Sequence, residues 1–204
     1  LVVSGGHTEI IVIKDHNHFK KIGQTIDDAA GEAFDKVAKL LKLSYPGGPI
    51  VSQRATLGNP SAFAFPRPML DSKDFNFSFS GLKTAVLYKS QKVDLTQEQT
   101  INDLCASFEQ AVVDTLVTKT IKAAKKYKAK TILMAGGVAA NKKLRSTLEL
   151  SSKNNDFKFL VPEFKLCTDN AAMIGIAAAF LADNKKIKLD NWKKIKADPN
   201  WEVK

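Results

Sequence analysis

Apolar residues along this chain recur with two different periods. Leu1 to Ser4 and Thr8 to Lys14 are β-branched runs joined by Gly5-Gly6-His7, and Phe19 to Ile26 follows the polar turn Asp15-His16-Asn17-His18. Runs bounded in this way predict three consecutive antiparallel strands. From Asp28 the period lengthens: Ala29, Ala30, Ala33, Phe34, Val37, Ala38, Leu40 and Leu41 recur at helical spacing. A helix is expected over about 28–43, with Thr25 and Asp28 placed as a capping box and Pro46 beyond its end. Residues 44–74 hold five of the seven prolines and are expected to be loop, with one short helix near 50–57. Phe75, Phe77 and Phe79 alternate with polar residues like a strand, and Ser80 is placed to cap a helix reaching about Ser90. Residues 97–128 read as one long helix or two. A strand (Thr131 to Ala135), the turn Gly136 to Asn141, a helix to about Ser151, a strand (Phe157 to Val161) and a buried, alanine-rich helix from Thr168 to about Ala182 complete the pattern.

The order is βββα, an insertion, then βαβα. It predicts an α/β domain with a mixed five-stranded sheet, helices on its faces and later strands made parallel by crossovers. The same order is found in one lobe of the actin-like ATPase (ASKHA) fold. The expected division is a lobe over 1–183, with a loop and helical insertion at about 44–96, and a basic tail over 184–204. Within that tail seven lysines oppose three acids.

Composition changes this picture only in part. The 204 residues carry a formal charge of +10, from 31 Lys plus Arg against 21 Asp plus Glu, so a nucleic acid is a partner to test, beside the alternative of a lysine-rich surface. The longest apolar stretch, Ala171 to Ala182, is twelve residues with a glycine inside, short of the ~20 that span a bilayer. No membrane partner is expected. Two cysteines without a C-x-x-C fit a reduced, cytoplasmic setting. The chain opens at Leu1 in the middle of a strand pattern, which reads as part of a longer protein.

Four segments carry candidate chemistry. Ser4-Gly5-Gly6-His7-Thr8 ends a strand in glycines, so backbone N–H groups can approach an anion, with the Ser4 and Thr8 hydroxyls beside them. A plain hairpin turn needs no more than the glycines. Gly136-Gly137-Val138-Ala139-Ala140-Asn141 leads a strand into a helix, where N–H groups and the helix dipole favour an anion or nucleotide edge and Asn141 can reach a ribose or phosphate oxygen. Neither the Rossmann spacing nor a P-loop is present. Asp28, Glu32 and Asp35 share a helix face, with i,i+4 lysines that also suit a solvated salt-bridged surface. Cys167-Thr168-Asp169-Asn170 precedes the last helix and reads as an N-cap or, for Asp169, as one metal ligand. The three histidines offer no metal-binding spacing.

Taken together with Asp27 to Lys36, Tyr45-Pro46-Gly47-Gly48-Pro49, Phe77 to Lys83 and Cys167 to Met173, these motifs resemble the TsaD family of tRNA threonylcarbamoyladenosine enzymes. The resemblance spans about Ser4 to Met173. It implies an actin-like fold and transfer of a threonylcarbamoyl group from threonylcarbamoyl-AMP to N6 of the adenosine next to the anticodon, in tRNAs reading codons that begin with A. By motif, Val2, Val3, Ser4, Gly5 and Gly6 would contact the adenylate, Asp35 and Gly48 the ribose side, and Asn141 would complete the pocket. No catalytic residue is assigned.

Asp169 would ligate one divalent metal, Fe2+ or Zn2+. The family's other ligands are a histidine pair on a preceding lobe that this chain does not contain, so the chain alone is expected to be inactive and to hold no metal tightly. Implied partners are tRNA, the paralogous scaffold subunit and the small ATPase subunit. The family often has an acid where Ser52 stands. Lys119 to Lys130, Lys142-Lys143-Arg145 and the tail are candidate phosphate contacts. A small-molecule kinase of the same fold, a non-catalytic scaffold subunit and the family's former peptidase label are the competing readings.

Overall fold

The computed structural model describes residues 1–16 and 18–183, so the basic tail 184–204 lies outside the described residues. It is a mixed α/β arrangement. Strands β1 (Val2–Val3), β2 (Thr8–Asp15) and β3 (His18–Gln24) form an antiparallel sheet in that order, with Val3 opposite Thr8 and Ile10 opposite Gly23. Strands β4 (Thr131–Leu133) and β5 (Lys158–Leu160) form a parallel pair. A parallel bridge between Val2 and Ala135 joins the two sheets: the Val3 N–H donates to Ala135 O at 2.8 Å and the Ala135 N–H to Leu1 O at 3.0 Å.

Helices α1 (Ala30–Leu40), α2 (Gly47–Ala55), α3 (Ser80–Ser90), α4 (Glu98–Lys126), α5 (Lys142–Lys153) and α6 (Ala171–Asp183) make up much of the rest. The long helical pattern resolves into one unbroken helix, α4, of 29 residues. Leu104, Cys105, Phe108, Val112 and Leu116 of α4 are essentially buried, among Phe34, Leu82, Phe77 and Phe79. Each such side chain contributes about 1.5–3 kcal/mol by leaving water.

The irregular segment after α2 is laid along one face of α4 and tied to it at helical intervals. The Asn59 N–H donates to the Asp103 carboxylate at 2.7 Å, the Phe63 N–H to Ser107 Oγ at 3.1 Å, and Arg67 pairs with Asp114 at 2.7 Å. Farther along, the Lys119 ammonium donates to Ser72 Oγ at 2.8 Å and to Asn76 O. Lys119 is 1% exposed, so it does not belong to the phosphate-binding cluster that its sequence neighbours suggest.

Three local expectations change. The predicted cap of α1 is not the one used: the buried Thr8 hydroxyl, from the neighbouring strand, accepts the Ala30 N–H at 2.9 Å, while Thr25 Oγ1 donates to Asp28 O. Thr8 is therefore spent on the fold rather than on an anion. The Phe75–Phe79 segment buries all three rings as alternation predicts, yet makes a single bridge, Thr25 to Phe77, instead of a ladder. Its Asn76 side chain takes the Gln24 N–H at 3.1 Å, and Asp27 then caps α3 through the Phe79 N–H at 2.8 Å and the Ser80 N–H at 3.3 Å.

The last helix forms where expected, from Ala171, with Asn170 Oδ1 accepting the Met173 N–H at 3.1 Å. It is not buried: Ala171 to Phe180 are exposed, and the His16 ring stacks on Phe180 at 3.9 Å. An all-apolar helix carries no periodic signal of which face must be covered, so composition alone predicts burial that the described residues do not supply.

Candidate functional site

A cleft of about 740 Å³ opens between α1 and α2 on one side and the 3₁₀ turn Gly137–Ala140 with α5 on the other. Its walls are built by adjacent glycines that do opposite things. A Cβ on Gly47 would stand 2.6 Å from Asp35 Cα and 2.8 Å from Ala38 Cβ, so this glycine lets α2 pack against α1. A Cβ on Gly48 would meet nothing within 4 Å, and Gly48 lines the cleft. On the facing wall Gly136 has φ +97° and would place a Cβ 2.3 Å from Val3 O, while Gly137 again meets nothing and lines the cleft. Only glycine takes that φ without strain.

Asp35 reaches from α1 to accept the Gly47 N–H at 2.8 Å, which fixes the start of α2. The Gly48 N–H, in the first turn of that helix, has no intrahelical acceptor. Gly5 opens into the cleft too. Thus four of the residues expected to hold a nucleotide, Gly5, Asp35, Gly48 and Asn141, line one cavity although 136 positions separate the first from the last.

The others lie elsewhere. Val2 and Val3 pair with β2 and with Ala135, and Val3 is wholly buried. Ser4 Oγ accepts the His7 N–H at 3.0 Å and the Gly6 N–H at 3.3 Å, closing the hairpin turn. Val2, Val3, Ser4 and Gly6 are not among the cleft-lining residues.

Asn141 is the N-cap of α5, its Oδ1 accepting the Leu144 N–H at 2.8 Å. Its amide donates to Ser52 Oγ at 2.8 Å and to Glu109 Oε1 at 2.7 Å. Both partners line the cleft. No motif singles out Glu109, although the sequence holds one signal: an acid at the i+4 position after Cys105 and i−3 before Val112, inside an apolar stripe.

Lys142 and Lys143 line the opposite rim, so the cleft sets lysines against carboxylates. Arg145, grouped with them by sequence, instead donates to Ala139 O, to Pro162 O at 2.9 Å and to Cys167 Sγ at 3.0 Å. Its guanidinium also sits over the Phe164 ring.

Asp28 stands apart from the cavity. Burial works against its charge, but the Lys36 ammonium at 2.6 Å and Lys83 at 3.5 Å outweigh this and hold its carboxyl below the usual carboxylate range. Cys105 and Cys167 are free and buried, and burial pushes the Cys105 thiol up to about 12, which leaves it inert as a nucleophile at neutral pH.

Asp169 is exposed and does not line the cleft. Among the described residues no three His, Cys, Asp or Glu side chains come together, so these residues do not by themselves fit a metal. Nor is any described helix long and apolar enough to cross a membrane.

Residues 1–176 match the family model for TsaD, tRNA N6-adenosine threonylcarbamoyltransferase. Proteins with that name in Thermosipho africanus, Thermosipho melanesiensis and Kosmotoga olearia are 50%, 55% and 53% identical over 203, 183 and 178 residues. The alignments cover 100%, 90% and 87% of this chain but only 60%, 55% and 53% of those relatives. The chain thus spans a little over half the length of the relatives it matches, and over that span it belongs to the TsaD family.

Proposed function

We propose that this chain carries the nucleotide-binding part of an enzyme that transfers a threonylcarbamoyl group from threonylcarbamoyl-AMP to N6 of the adenosine beside the anticodon of tRNAs reading codons that begin with A. The observation that carries the reading is the convergence of Gly5, Asp35, Gly48 and Asn141 on one cleft, at the motifs by which the chain is similar to its family. The proposed fold is the second lobe of an actin-like ATPase, supported by the bridge that links the antiparallel and parallel sheets beneath that cleft.

In the proposed reaction the adenosine amine attacks the carbamoyl carbon of the mixed anhydride. A C–N bond forms, the C–O bond to phosphate breaks, AMP leaves, and the amine gives up a proton. A neutral aromatic amine is a weak nucleophile, so positioning carries most of the burden. The open backbone at Gly5, Gly48 and Gly137 lets the donor approach the amide groups closely, and Lys142 and Lys143 supply positive charge at the rim for phosphate.

Asp169 is proposed as one metal ligand, the set to be completed by groups outside the described residues. The tRNA, the paralogous scaffold subunit and the small ATPase subunit are the proposed partners. The test is transfer by the complete gene product, with threonylcarbamoyl-AMP and an ANN-decoding tRNA transcript. Formation of the modified nucleoside by the native protein and at least a tenfold loss in Gly48→Val are expected; a native protein inert with both substrates and its partner subunits would sink the reading.

A further inference from the structure

The Ser52–Asn141–Glu109 network turns hydrogen-bonding groups of a specific kind towards the cleft. Glu109 is 3% exposed, and among the described residues no lysine, arginine or histidine pairs with it. A buried carboxylate is costly unless its oxygens accept hydrogen bonds. Only Oε1 does so, from the Asn141 amide; Oε2 accepts none from the described residues and, unlike Asp28 Oδ2, is not shut away from solvent. The Asn141 side chain has no donor left to offer, because both its N–H groups are engaged while its oxygen accepts the Leu144 N–H. Ser52 Oγ accepts from Asn141, and its own proton is uncommitted.

The groups that this network presents to a ligand are therefore a carboxylate acceptor, Glu109, and a hydroxyl donor, Ser52, in the cleft that Asp35 also lines. Asp35 likewise uses one oxygen, on the Gly47 N–H, and keeps the other. Two carboxylate oxygens and one hydroxyl ask for a ligand fragment with two O–H donors that also accepts. A vicinal diol meets this demand; the adenine edge, with one amino group, meets half of it.

We infer that Glu109, oriented by Asn141 and assisted by Ser52, is a ribose-recognition residue that accepts a hydrogen bond from the 2′,3′-diol of the bound nucleotide. This deepens the nucleotide reading above and rests on it. Asn141 then acts as a positioning residue, aligning Glu109 and Ser52 while capping α5.

The test is a thermodynamic cycle in the complete gene product, by calorimetry with AMP, 2′,3′-dideoxy-AMP and IMP. In Glu109→Gln the amide carbonyl still accepts from Asn141, but the cleft-facing oxygen becomes an N–H₂ donor. AMP and IMP affinities are expected to fall together by about tenfold or more, as for loss of a charge-assisted hydrogen bond, while dideoxy-AMP binds both proteins alike. Ser52→Ala is expected to lose about threefold on AMP and nothing on dideoxy-AMP, and it runs the same cycle should Glu109→Gln unfold. Equal losses on AMP and dideoxy-AMP, no loss at all, or a loss on AMP that IMP escapes would overturn the diol assignment while leaving nucleotide binding intact. A native protein that binds none of the three would overturn the nucleotide reading, and this inference with it.

Discussion

The two walls of the cleft solve one problem with unrelated local structures. On the α2 wall the pair Gly47-Gly48 starts a helix; on the opposite wall Gly136-Gly137 leaves a strand for a 3₁₀ turn. In both, the first glycine is where backbone meets backbone and the second is where backbone meets open space. The difference lies in how the first is constrained: Gly47 is limited by contact alone, Gly136 by contact and by a φ of +97°. A glycine pair at this site thus combines tight packing with open cavity space on adjacent residues, and substitution separates the two.

Gly136→Ala should have the largest effect, because the methyl group needs a disfavoured φ and space held by Val3 O at the junction of the sheets. A loss of about 3 kcal/mol or more is expected in denaturant unfolding of the complete protein. Gly47→Ala, a steric conflict without the φ penalty, should cost about 2 kcal/mol and shift α2 relative to α1. Comparable stability in the two variants would erase the distinction between the walls.

Gly48→Val and Gly137→Val should change stability by less than about 1 kcal/mol, since their side chains enter open space, yet weaken AMP binding about tenfold or more by filling it. A variant that unfolds instead would show that the second glycines are packing residues like the first. Asp28 gives the smallest effect and a control outside the cavity. Its folded pKa lies below its unfolded one, so its ion pairs contribute fully above the ordinary carboxylate pKa and are lost as pH falls through the lowered value. Asp28→Asn should flatten acid unfolding over that interval and leave AMP affinity unchanged.

Much of this was legible residue by residue. The β-branched runs flanking Gly5-Gly6 give the hairpin, the spacing from Ala30 to Leu41 gives α1, and the glycine motifs give four of the cleft's residues, because short-range periodicity and backbone freedom are written locally. The caps were less legible. Asn141 caps the helix that follows it, but α1 is capped by Thr8 and α3 by Asp27, donors and acceptors that meet only after the chain has folded back. Lys119 and Arg145 mislead for the same reason: a cation in a basic run reads as surface until its acceptors, Ser72 and Asn76 or Pro162 and Cys167, arrive from elsewhere.

By itself, then, the sequence determined the element types apart from the Phe75–Phe79 segment, the family and which glycines and acids belong to its motifs. Only the tertiary structure decided which glycine of each pair faces the cavity, which lysines are spent, and that both Asn141 donors are committed while Glu109 Oε2 and the Ser52 proton are not. The physical reason is that periodicity and motif spacing act over a few residues, whereas a hydrogen bond satisfied or left open depends on partners 32 to 89 positions away.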